Sequence, residues 1–418
     1  MLGIIALLVT LWTNEGLPLA IVSLLPIILF PAFDILDTKA TTANYAHPII
    51  FLFLGGFLIA IAVEKSSLHL WIAHKMLHIF PNSGRGIVLS LIVTSGLLSS
   101  VLSNTTTTLL LISIALYLSD SPKIKLRFAL AIAYGASVGG IMTPIGTPPN
   151  LILMGMMQNE GLPAIPFFQW IWMVAPLSLV MFLAVGFILS AGLKGVSIQQ
   201  VSHIPPLQPQ QKKVLWLLLS LIVLLLANAP IPPYWDGLGL SEPGILLTAG
   251  LILFMPPFQQ LDWMQDKGKI PFQIMFLFGA GFAIAKAFSN TGLAADIATS
   301  LTALGALPLI LLLLIIAALV TFTTEITSNT ALISIMLPIL YAMSQQLHID
   351  PTLTMMVATI CASYAFMLPI ATPPNAIAMA SGVVKIKTMA SLGLMFNLIG
   401  ILLVVSFAMF SWQPVLQH

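Results

Sequence analysis

Small hydroxyl and amide side chains that recur in one order are the residues of this chain best suited to bind ions. The tripeptide Ser-Asn-Thr occupies positions 103–105 and again positions 328–330, at an offset of 225 in the numbering. Hydroxyl and amide groups can donate hydrogen bonds to a carboxylate or give an oxygen atom to a cation such as Na⁺. A single serine or threonine in an apolar helix usually serves helix packing. The paired tripeptides instead predict a binding site that two halves of the chain build together.

A second pair of motifs lies downstream at the same offset. Thr-Pro-Pro-Asn occupies 147–150 and 372–375, within the apolar stretches 126–158 and 352–382. Proline lacks a backbone donor and disfavours helical geometry in the residue before it, so each stretch is predicted to be a helix broken in its middle. Backbone groups freed at a break inside a membrane must face protein, water or a ligand. The carbonyl end of one half suits a cation, and the amide end of the next half suits an anion.

The composition identifies the class of protein that must position these motifs. Of 418 residues, 59% are hydrophobic and only 7% are charged, whereas a soluble protein has roughly 25% charged residues. The chain is therefore predicted to be a multi-pass membrane protein whose main surroundings are the lipid bilayer. Its basic residues form no cluster of the kind that binds nucleic acid, and its single cysteine, Cys361, excludes an intrachain disulfide bond.

The two halves of the chain align without a gap at the offset of 225, from about residue 31 to residue 375. Segments 87–102 and 108–118 are each shorter than the roughly 20 residues that a helix needs to cross a bilayer. They are therefore predicted to form a re-entrant hairpin with residues 103–105 at its tip. The equivalent segments 308–325 and 331–343 predict a second hairpin, and the fold class is all-α with two repeats.

Basic residues indicate the membrane side of each hairpin. Arg85 precedes the first hairpin and Lys123, Lys125 and Arg127 follow it, whereas no lysine or arginine flanks the second. Because cytoplasmic loops are enriched in basic residues, the first hairpin should open on the cytoplasmic side and the second on the outside. The repeats are then inverted, with ten crossings and both termini outside. Of the 15 basic residues, only Lys39 and Lys286 fall outside.

This organisation predicts two repeats joined by a linker. The expected first repeat is 1–193, a cytoplasmic linker covers 194–213, and the second repeat is 214–418. Six tryptophans near predicted membrane edges suggest an aromatic belt; they are Trp12, Trp170, Trp172, Trp235, Trp263 and Trp412.

Charged residues are scarce in the predicted core. No lysine or arginine lies in its middle, so an anion there would rely on helix ends, dipoles and a co-bound cation. Glu325 stands three residues before Ser328, where the first half has Ser100. It is either a structural carboxylate with polar partners or an electrostatic support for a cation or a proton. Lys286 is either its partner or an anchor at the membrane interface.

The motifs resemble those of the divalent anion:sodium symporter family, which includes dicarboxylate and citrate carriers. The resemblance rests on the two Ser-Asn-Thr tripeptides, on Trp-Thr-Asn-Glu-Gly-Leu-Pro at 12–18, and above all on residues 363–375, which run from Ser-Tyr-Ala to Thr-Pro-Pro-Asn. It implies inverted repeats of the elevator type, a homodimer, and a transport domain that moves against a scaffold. In the first repeat the scaffold helices would extend to about residue 80 and the transport elements would begin at about 81; in the second repeat the scaffold would extend to about 303 and the transport elements would begin at about 304. Ser-Asn-Thr in both halves resembles the dicarboxylate branch more than the sulfate branch.

The same resemblance implies roles for individual residues. One Na⁺ would lie among Ser99, Ser103, Asn104 and Gly146, and a second among Thr324, Thr327, Ser328, Asn329 and Ala371. The carboxylates of a substrate would meet the two tips and the residues beside the breaks, namely Ser103, Asn104, Thr105, Thr147, Ser328, Asn329, Thr330, Thr372 and Pro373. From the residues alone, Ser99 and Thr324 are plausible oxygen donors because each lies four residues before a tip serine.

Na⁺-coupled uptake of C4-dicarboxylates such as succinate, malate or fumarate, across a bacterial-type inner membrane, is the leading hypothesis. A Na⁺-independent dicarboxylate exchanger and a symporter of sulfate or another divalent anion remain open alternatives. A cation/proton antiporter would need titratable acids in the core, where only Glu325 is a candidate, and a passive channel would not need paired broken helices. A membrane enzyme is disfavoured because the core lacks a histidine and a pair of acidic residues.

Overall fold

The computed structural model describes residues 1–13, 16–193, 206–230, 234–300, 305 and 307–416. Every regular element in these ranges is a helix, which confirms the predicted fold class. The first half contains α1 Leu2–Thr13, α2 Leu19–Ala32, α3 Thr38–Ala43, a 3₁₀ turn Asn44–Ala46, α4 Pro48–Lys65, α5 Leu68–Ile79, α6 Gly84–Ser99, α7 Asn104–Tyr117, α8 Pro122–Gly140, α9 Pro148–Asn159 and α10 Phe167–Leu189.

The second half contains α11 Pro209–Asn228, α12 Glu242–Ile252, α13 Trp263–Asp266, a 3₁₀ turn Lys267–Lys269, α14 Phe272–Thr291, α15 Leu293–Ser300, α16 Leu309–Thr324, α17 Asn329–Leu347, α18 Pro351–Ala362, α19 Pro373–Ala380, α20 Ile386–Phe407, a π-helical segment Ala408–Trp412 and α21 Gln413–Leu416. Among the described residues, six helical segments are long and apolar enough to cross a membrane. Residues 194–205 of the predicted linker lie outside the described residues, and its last part is helical because α11 begins at Pro209.

The duplication is visible in the ends of the helices. The first residues of α6 and α16 are separated by the same offset of 225 that relates the motifs, and so are their last residues. The first residues of α7 and α17 are also separated by this offset, as are those of α9 and α19. The Ser103 hydroxyl accepts a hydrogen bond from the backbone N of Thr106 at 3.1 Å, so the tip serine is the N-cap of α7. Ser328 caps α17 in the same way through Ala331 N at 3.5 Å. Small capping residues thus start a new helix at each tip.

Contacts between the two halves also occur in equivalent pairs. Helix α2 packs on α14, and its counterpart α12 packs on α4; α9 packs on α17, and α19 packs on α7. The halves are therefore interlocked, and neither forms a separate core. At the end of α4, Lys65 Nζ lies 2.6 Å from Asp266 Oδ2 in the second half. At the equivalent position near the end of α14, Asn290 Nδ2 donates to the carbonyl O of Ile35 in the first half at 3.1 Å.

Helices α8 and α18 form the centre of the molecule. All residues of α8 from Phe128 to Gly140, and all residues of α18 from Thr352 to Ala362, are buried. A helix that is buried on every face must be surrounded by other helices. Helices α6, α7 and α10 pack around α8, and α16, α17 and α20 pack around α18. The break that follows α8, residues 141–147, is mostly buried, whereas the break that follows α18 contains Ile370, which is 79% exposed.

The predicted aromatic belt is wrong for three tryptophans. Trp12, Trp170 and Trp412 are buried in the protein. The indole N–H of Trp170 donates to the carbonyl O of Ile141 at 2.9 Å, and that of Trp412 donates to Met173 O at 2.8 Å. A buried indole needs such a partner, so proximity to a predicted membrane edge did not distinguish these interior contacts from exposed positions. Trp172, Trp235 and Trp263 are exposed.

Candidate functional site

Both hairpin tips and both helix breaks line one cavity of about 600 Å³. The motifs of the two halves of the chain thus lie around one cavity. Eleven of the residues singled out in the sequence lie on its wall, namely Ser103, Asn104, Thr105, Gly146, Thr147, Ser328, Asn329, Thr330, Ala371, Thr372 and Pro373. The rest of the wall is largely apolar and includes Phe53 and Phe57 of α4 and Ile274 of α14.

Ser99, Thr324 and Thr327 are not on the cavity wall; the first two lie behind the tips. The Ser99 hydroxyl donates to Asn104 Oδ1 at 2.5 Å, and the Thr324 hydroxyl lies 2.6 Å from Asn329 Oδ1 and 2.9 Å from the carbonyl O of Ala362. The two tips therefore share one arrangement, in which a helix hydroxyl meets the side-chain oxygen of the tip asparagine. The Thr327 hydroxyl donates to Thr323 O at 2.9 Å, within its own helix end.

The first break adds further oxygen atoms near its tip. A Cβ atom at Gly140 would lie 2.5 Å from Asn104 Oδ1, and a Cβ atom at Gly146 would lie 2.3 Å from the carbonyl O of Gly140. Only glycine at these two positions lets the backbone approach so closely. Hydroxyl, amide and carbonyl oxygens thus gather behind the tip. Hard oxygen ligands of this kind fit Na⁺, so the residues present are suitable for the ion that the family resemblance implies.

Four helices begin at the cavity. The first residues of α7, α9, α17 and α19 are Asn104, Pro148, Asn329 and Pro373, and all four line the wall. A helix N-terminus has a partial positive charge and favours an anion. None of the described residues on the wall is charged. An anion would therefore be held by helix ends, hydroxyls and amides, together with any cation bound beside it.

The first break is tied to the rest of the protein by residues that the motifs did not reveal. The Thr143 hydroxyl donates to the carbonyl O of Ser100, next to the first tip, and Trp170 donates to Ile141 O from α10. Asn150 Nδ2 donates to the carbonyl O of Thr143 at 2.9 Å and so closes the break from its far side. The motif had identified Asn150, but not what it contacts.

The second break is tied by one contact that matches the first break, that of Asn375, and by two groups that differ from it, Glu325 and Asn397. Glu325, the counterpart of Ser100, accepts hydrogen bonds from the backbone N of Met367 at 2.9 Å and of Leu368 at 3.0 Å. Asn397 of α20 accepts from the backbone N of Phe366 at 3.3 Å. Asn375, the counterpart of Asn150, donates to the carbonyl O atoms of Ala365 at 2.9 Å and Leu368 at 3.0 Å.

Glu325 is thus a structural carboxylate with polar partners. Its side chain is 3% exposed, and the amide of Asn397 donates a third hydrogen bond to it at 2.7 Å. Three donors compensate the cost of burying a carboxylate. Lys286 is not among the partners found for Glu325 in the described part of the chain; the acidic group that it influences is Glu160, at the end of α9.

Comparison with known proteins places the chain in a family. Residues 6–361 match the family model described as citrate transporter. The sodium-dependent dicarboxylate transporter SdcS of Staphylococcus saprophyticus is 32% identical over 99% of this chain and 87% of its own length. SdcS of Staphylococcus aureus strain NCTC 8325 is also 32% identical, over 97% of this chain and 84% of its own length. These matches confirm the family that the motifs resemble.

Two solved structures share the fold. The YdaH transporter of Alcanivorax borkumensis has a TM-score of 0.61 with 17% identity and covers 88% of this chain and 86% of its own. MtrF of Neisseria gonorrhoeae, described with a class of antimetabolite efflux pumps, has a TM-score of 0.62 with 16% identity and covers 89% of this chain and 83% of its own. At these identities the likeness extends to the fold alone.

Proposed function

The chain belongs to the citrate transporter family, and we propose that it is a secondary transporter that couples the movement of a C4-dicarboxylate to Na⁺. The observation that carries this proposal is the convergence of four helix N-termini on one uncharged cavity. Such a cavity attracts an anion, but the described residues of its wall include no fixed cation to neutralise it, so co-bound cations complete the site. The similar proteins named sodium-dependent dicarboxylate transporters support the choice of ligands.

Two Na⁺ ions are proposed, one behind each tip. The first would be held by Ser99, Ser103, Asn104 and the backbone at Gly146, and the second by Thr324, Thr327, Ser328, Asn329 and the backbone at Ala371. The close approach of Ser99 to Asn104 and of Thr324 to Asn329 supports this pairing. When bound, Na⁺ supplies positive charge beside the anion.

The substrate is proposed to lie between the tips. Ser103, Asn104, Thr105 and Thr147 would contact one carboxylate, and Ser328, Asn329, Thr330, Thr372 and Pro373 the other. A dicarboxylate has two like ends, and the cavity wall has two like halves. A short dianion therefore matches the duplication of the site better than an ion with a single charged group.

Transport is proposed to follow an elevator mechanism, with inverted repeats and a homodimer in the inner membrane of a bacterium. In the second half, α14 and α15 both pack on the hairpin helix α17, whereas the equivalent helices α4 and α5 make no comparable packing on α7. The second hairpin thus contacts its neighbouring helices through α17, whereas the first contacts α5 through α6.

Uptake of labelled succinate into proteoliposomes tests the function. An inward Na⁺ gradient should accelerate uptake into vesicles that contain no dicarboxylate. Equal uptake with and without the gradient would overturn the coupling, and uptake that requires internal dicarboxylate and ignores Na⁺ would establish an exchanger. Competition by malate, fumarate, citrate and sulfate in the same assay tests the C4 preference.

A further inference from the structure

A second groove, of about 450 Å³, lies between the start of α6 and the end of α10. None of its wall residues is shared with the ion cavity. Its two ends differ in chemistry. Arg85 and the turn that contains Ala191 form a polar end, and Leu89, Leu183 and Phe187 form an apolar end.

The two ends follow the directions of the helices. Arg85 is the second residue of α6, and Leu89 lies one turn further along that helix. On α10, Leu183 and Phe187 precede the last residue, Leu189, by less than two turns. The groove therefore runs from the helix termini, where a membrane surface would lie, toward the interior of the bilayer. Helix α10 is long and apolar enough to cross a membrane.

The apolar wall faces away from the protein. Leu183 is 66% exposed and Phe187 is 79% exposed. On a helix that crosses a membrane, such side chains contact lipid. A hydrocarbon chain that lay in the groove would touch these residues and Leu89 without displacing any of the described protein groups.

One arginine lies on the wall at the polar end, and a second lies beside it. Arg85 is exposed on the wall, and Arg127 of α8 donates to the carbonyl O of Leu189 at 3.3 Å and to Ala191 O. No carboxylate stands on the wall among the described residues. The ion pairs of the described chain, Lys65–Asp266 and Lys269–Glu64, involve neither arginine.

From this charge and shape, we propose that the groove binds an anionic phospholipid, with the lipid phosphate at Arg85 and an acyl chain against Leu89, Leu183 and Phe187. Arginine suits phosphate because its planar guanidinium can donate two parallel hydrogen bonds. The continuous apolar wall selects a lipid over free phosphate. The uncompensated positive charge selects an anionic headgroup over a zwitterionic one.

Native mass spectrometry of the purified full-length chain tests the proposal with phosphatidylglycerol and phosphatidylcholine of equal chain length. The wild type should prefer phosphatidylglycerol, and Arg85→Gln should weaken phosphatidylglycerol binding about 5-fold, the loss expected for one basic group. Lys267→Gln is the matched control, because it removes one exposed lysine from the 3₁₀ turn of the scaffold. Phe187→Ser should weaken binding of both lipids, because it removes apolar wall and leaves the charge in place.

Size-exclusion elution at the wild-type volume shows that each variant is folded. Retention of the full lipid preference by Arg85→Gln would overturn the proposal, as would an equal loss in Lys267→Gln. The groove would be a phosphate site rather than a lipid site if inorganic phosphate, at the same concentration as the lipid, displaced phosphatidylglycerol and if Phe187→Ser left lipid binding unchanged. That result would also overturn the proposal.

Discussion

Glu325 accepts a hydrogen bond from the backbone N of Leu368 at 3.0 Å, and this contact occupies the same place in the second half as the contact between Ser100 and Thr143 in the first. In both halves the end of the first hairpin helix holds the loop of the adjacent break. The first half uses a hydroxyl and a backbone carbonyl, whereas the second uses a buried carboxylate and backbone amides. The function of the contact is repeated although its chemistry is not.

Replacement of Glu325 by glutamine should loosen the second break. A glutamine side chain has only one oxygen, so its NH₂ group would face Met367 N or Leu368 N, and one buried donor would lose its acceptor. We expect a loss of about 1–3 kcal/mol in the free energy of unfolding and a higher Na⁺ concentration for half-maximal uptake. Chemical denaturation and Na⁺ titration of transport measure the two effects.

Ser100→Ala is the matched control for this change. The Ser100 hydroxyl donates only to Leu97 O in its own helix, and its backbone carbonyl, which accepts from Thr143, is retained. Both measured quantities should stay close to the wild-type values. An unchanged Na⁺ requirement in Glu325→Gln would remove the link between this carboxylate and the ion site.

Asn375→Asp should be more damaging than Asn375→Ala. Asn375 Nδ2 donates to the carbonyl O atoms of Ala365 and Leu368, and an aspartate would place a buried negative oxygen against both. Alanine only removes the hydrogen bonds. We expect roughly 1–3 kcal/mol of lost stability for alanine and more for aspartate. Equal stability of the two variants would show that the amide does not hold the break.

Asn150 offers the same comparison in the first half. Asn150 Nδ2 donates to Thr143 O at 2.9 Å, so aspartate should again be worse than alanine there. Thermal unfolding in detergent, with and without Na⁺, measures both positions in one experiment. Opposite rankings at the two sites would contradict the equivalence of the breaks.

Ser99→Ala and Thr324→Val should weaken Na⁺ binding more than dicarboxylate binding. Each removes a hydroxyl beside a tip asparagine, at 2.5 and 2.6 Å respectively, and neither residue is on the cavity wall. The half-saturating Na⁺ concentration should rise at least about 10-fold, which corresponds to about 1.4 kcal/mol. At saturating Na⁺, the KM for succinate should change little.

Thr324→Ser retains the hydroxyl and serves as the control for Thr324→Val. It should preserve most of the Na⁺ affinity. A rise in the succinate KM at saturating Na⁺, without a change in Na⁺ dependence, would instead assign these hydroxyls to the substrate.

Glu160 should make stability depend on pH. Burial raises the pKa of Glu160, while a hydrogen bond with Tyr341 and the charge of Lys286 oppose the rise. Because the folded state holds this proton to a higher pH than the unfolded state does, stability should fall as pH rises from the ordinary glutamate range through the raised pKa. Melting temperatures between pH 4 and pH 8 should show a smaller fall in Glu160→Gln.

Asp120→Asn is the control for this pH series, because Asp120 is an exposed carboxylate in another loop. Its melting temperatures should follow those of the wild type. A wild-type pH dependence in Glu160→Gln would show that the fall originates elsewhere.

The sequence predicted the tips and breaks because polar and proline residues in apolar segments need a specific cause. Their common offset then identified the duplication, and the helix ends follow it closely, as α6 and α16 show. The convergence of both halves on one cavity followed from the same pattern, because polar motifs that recur at one fixed offset are expected to build one site together.

The ties that hold the breaks were not predictable in the same way. Trp170 and Asn397 both reach the break from the last long helix of their repeat, but they differ in type and do not occupy equivalent positions, so the offset between the repeats does not pair them. Tertiary packing selects whichever side chain reaches the loop. Glu325 stood out in the sequence as either a structural carboxylate or an electrostatic support for a cation or a proton. The three hydrogen-bond donors around it, which favour the structural role, were not predictable from the sequence.

The absence of charged side chains among the described residues of the cavity wall has an electrical consequence. The wall then contributes no charge of its own, and because Glu325 and the other fixed charges of the protein return at the end of each cycle, the net charge moved is that of the bound ions alone. Two Na⁺ and one dianion sum to zero and do no work against the membrane potential, whereas each additional Na⁺ is driven by about 2.3 kcal/mol per 100 mV. The current that accompanies uptake in voltage-clamped vesicles thus counts the cations in each cycle.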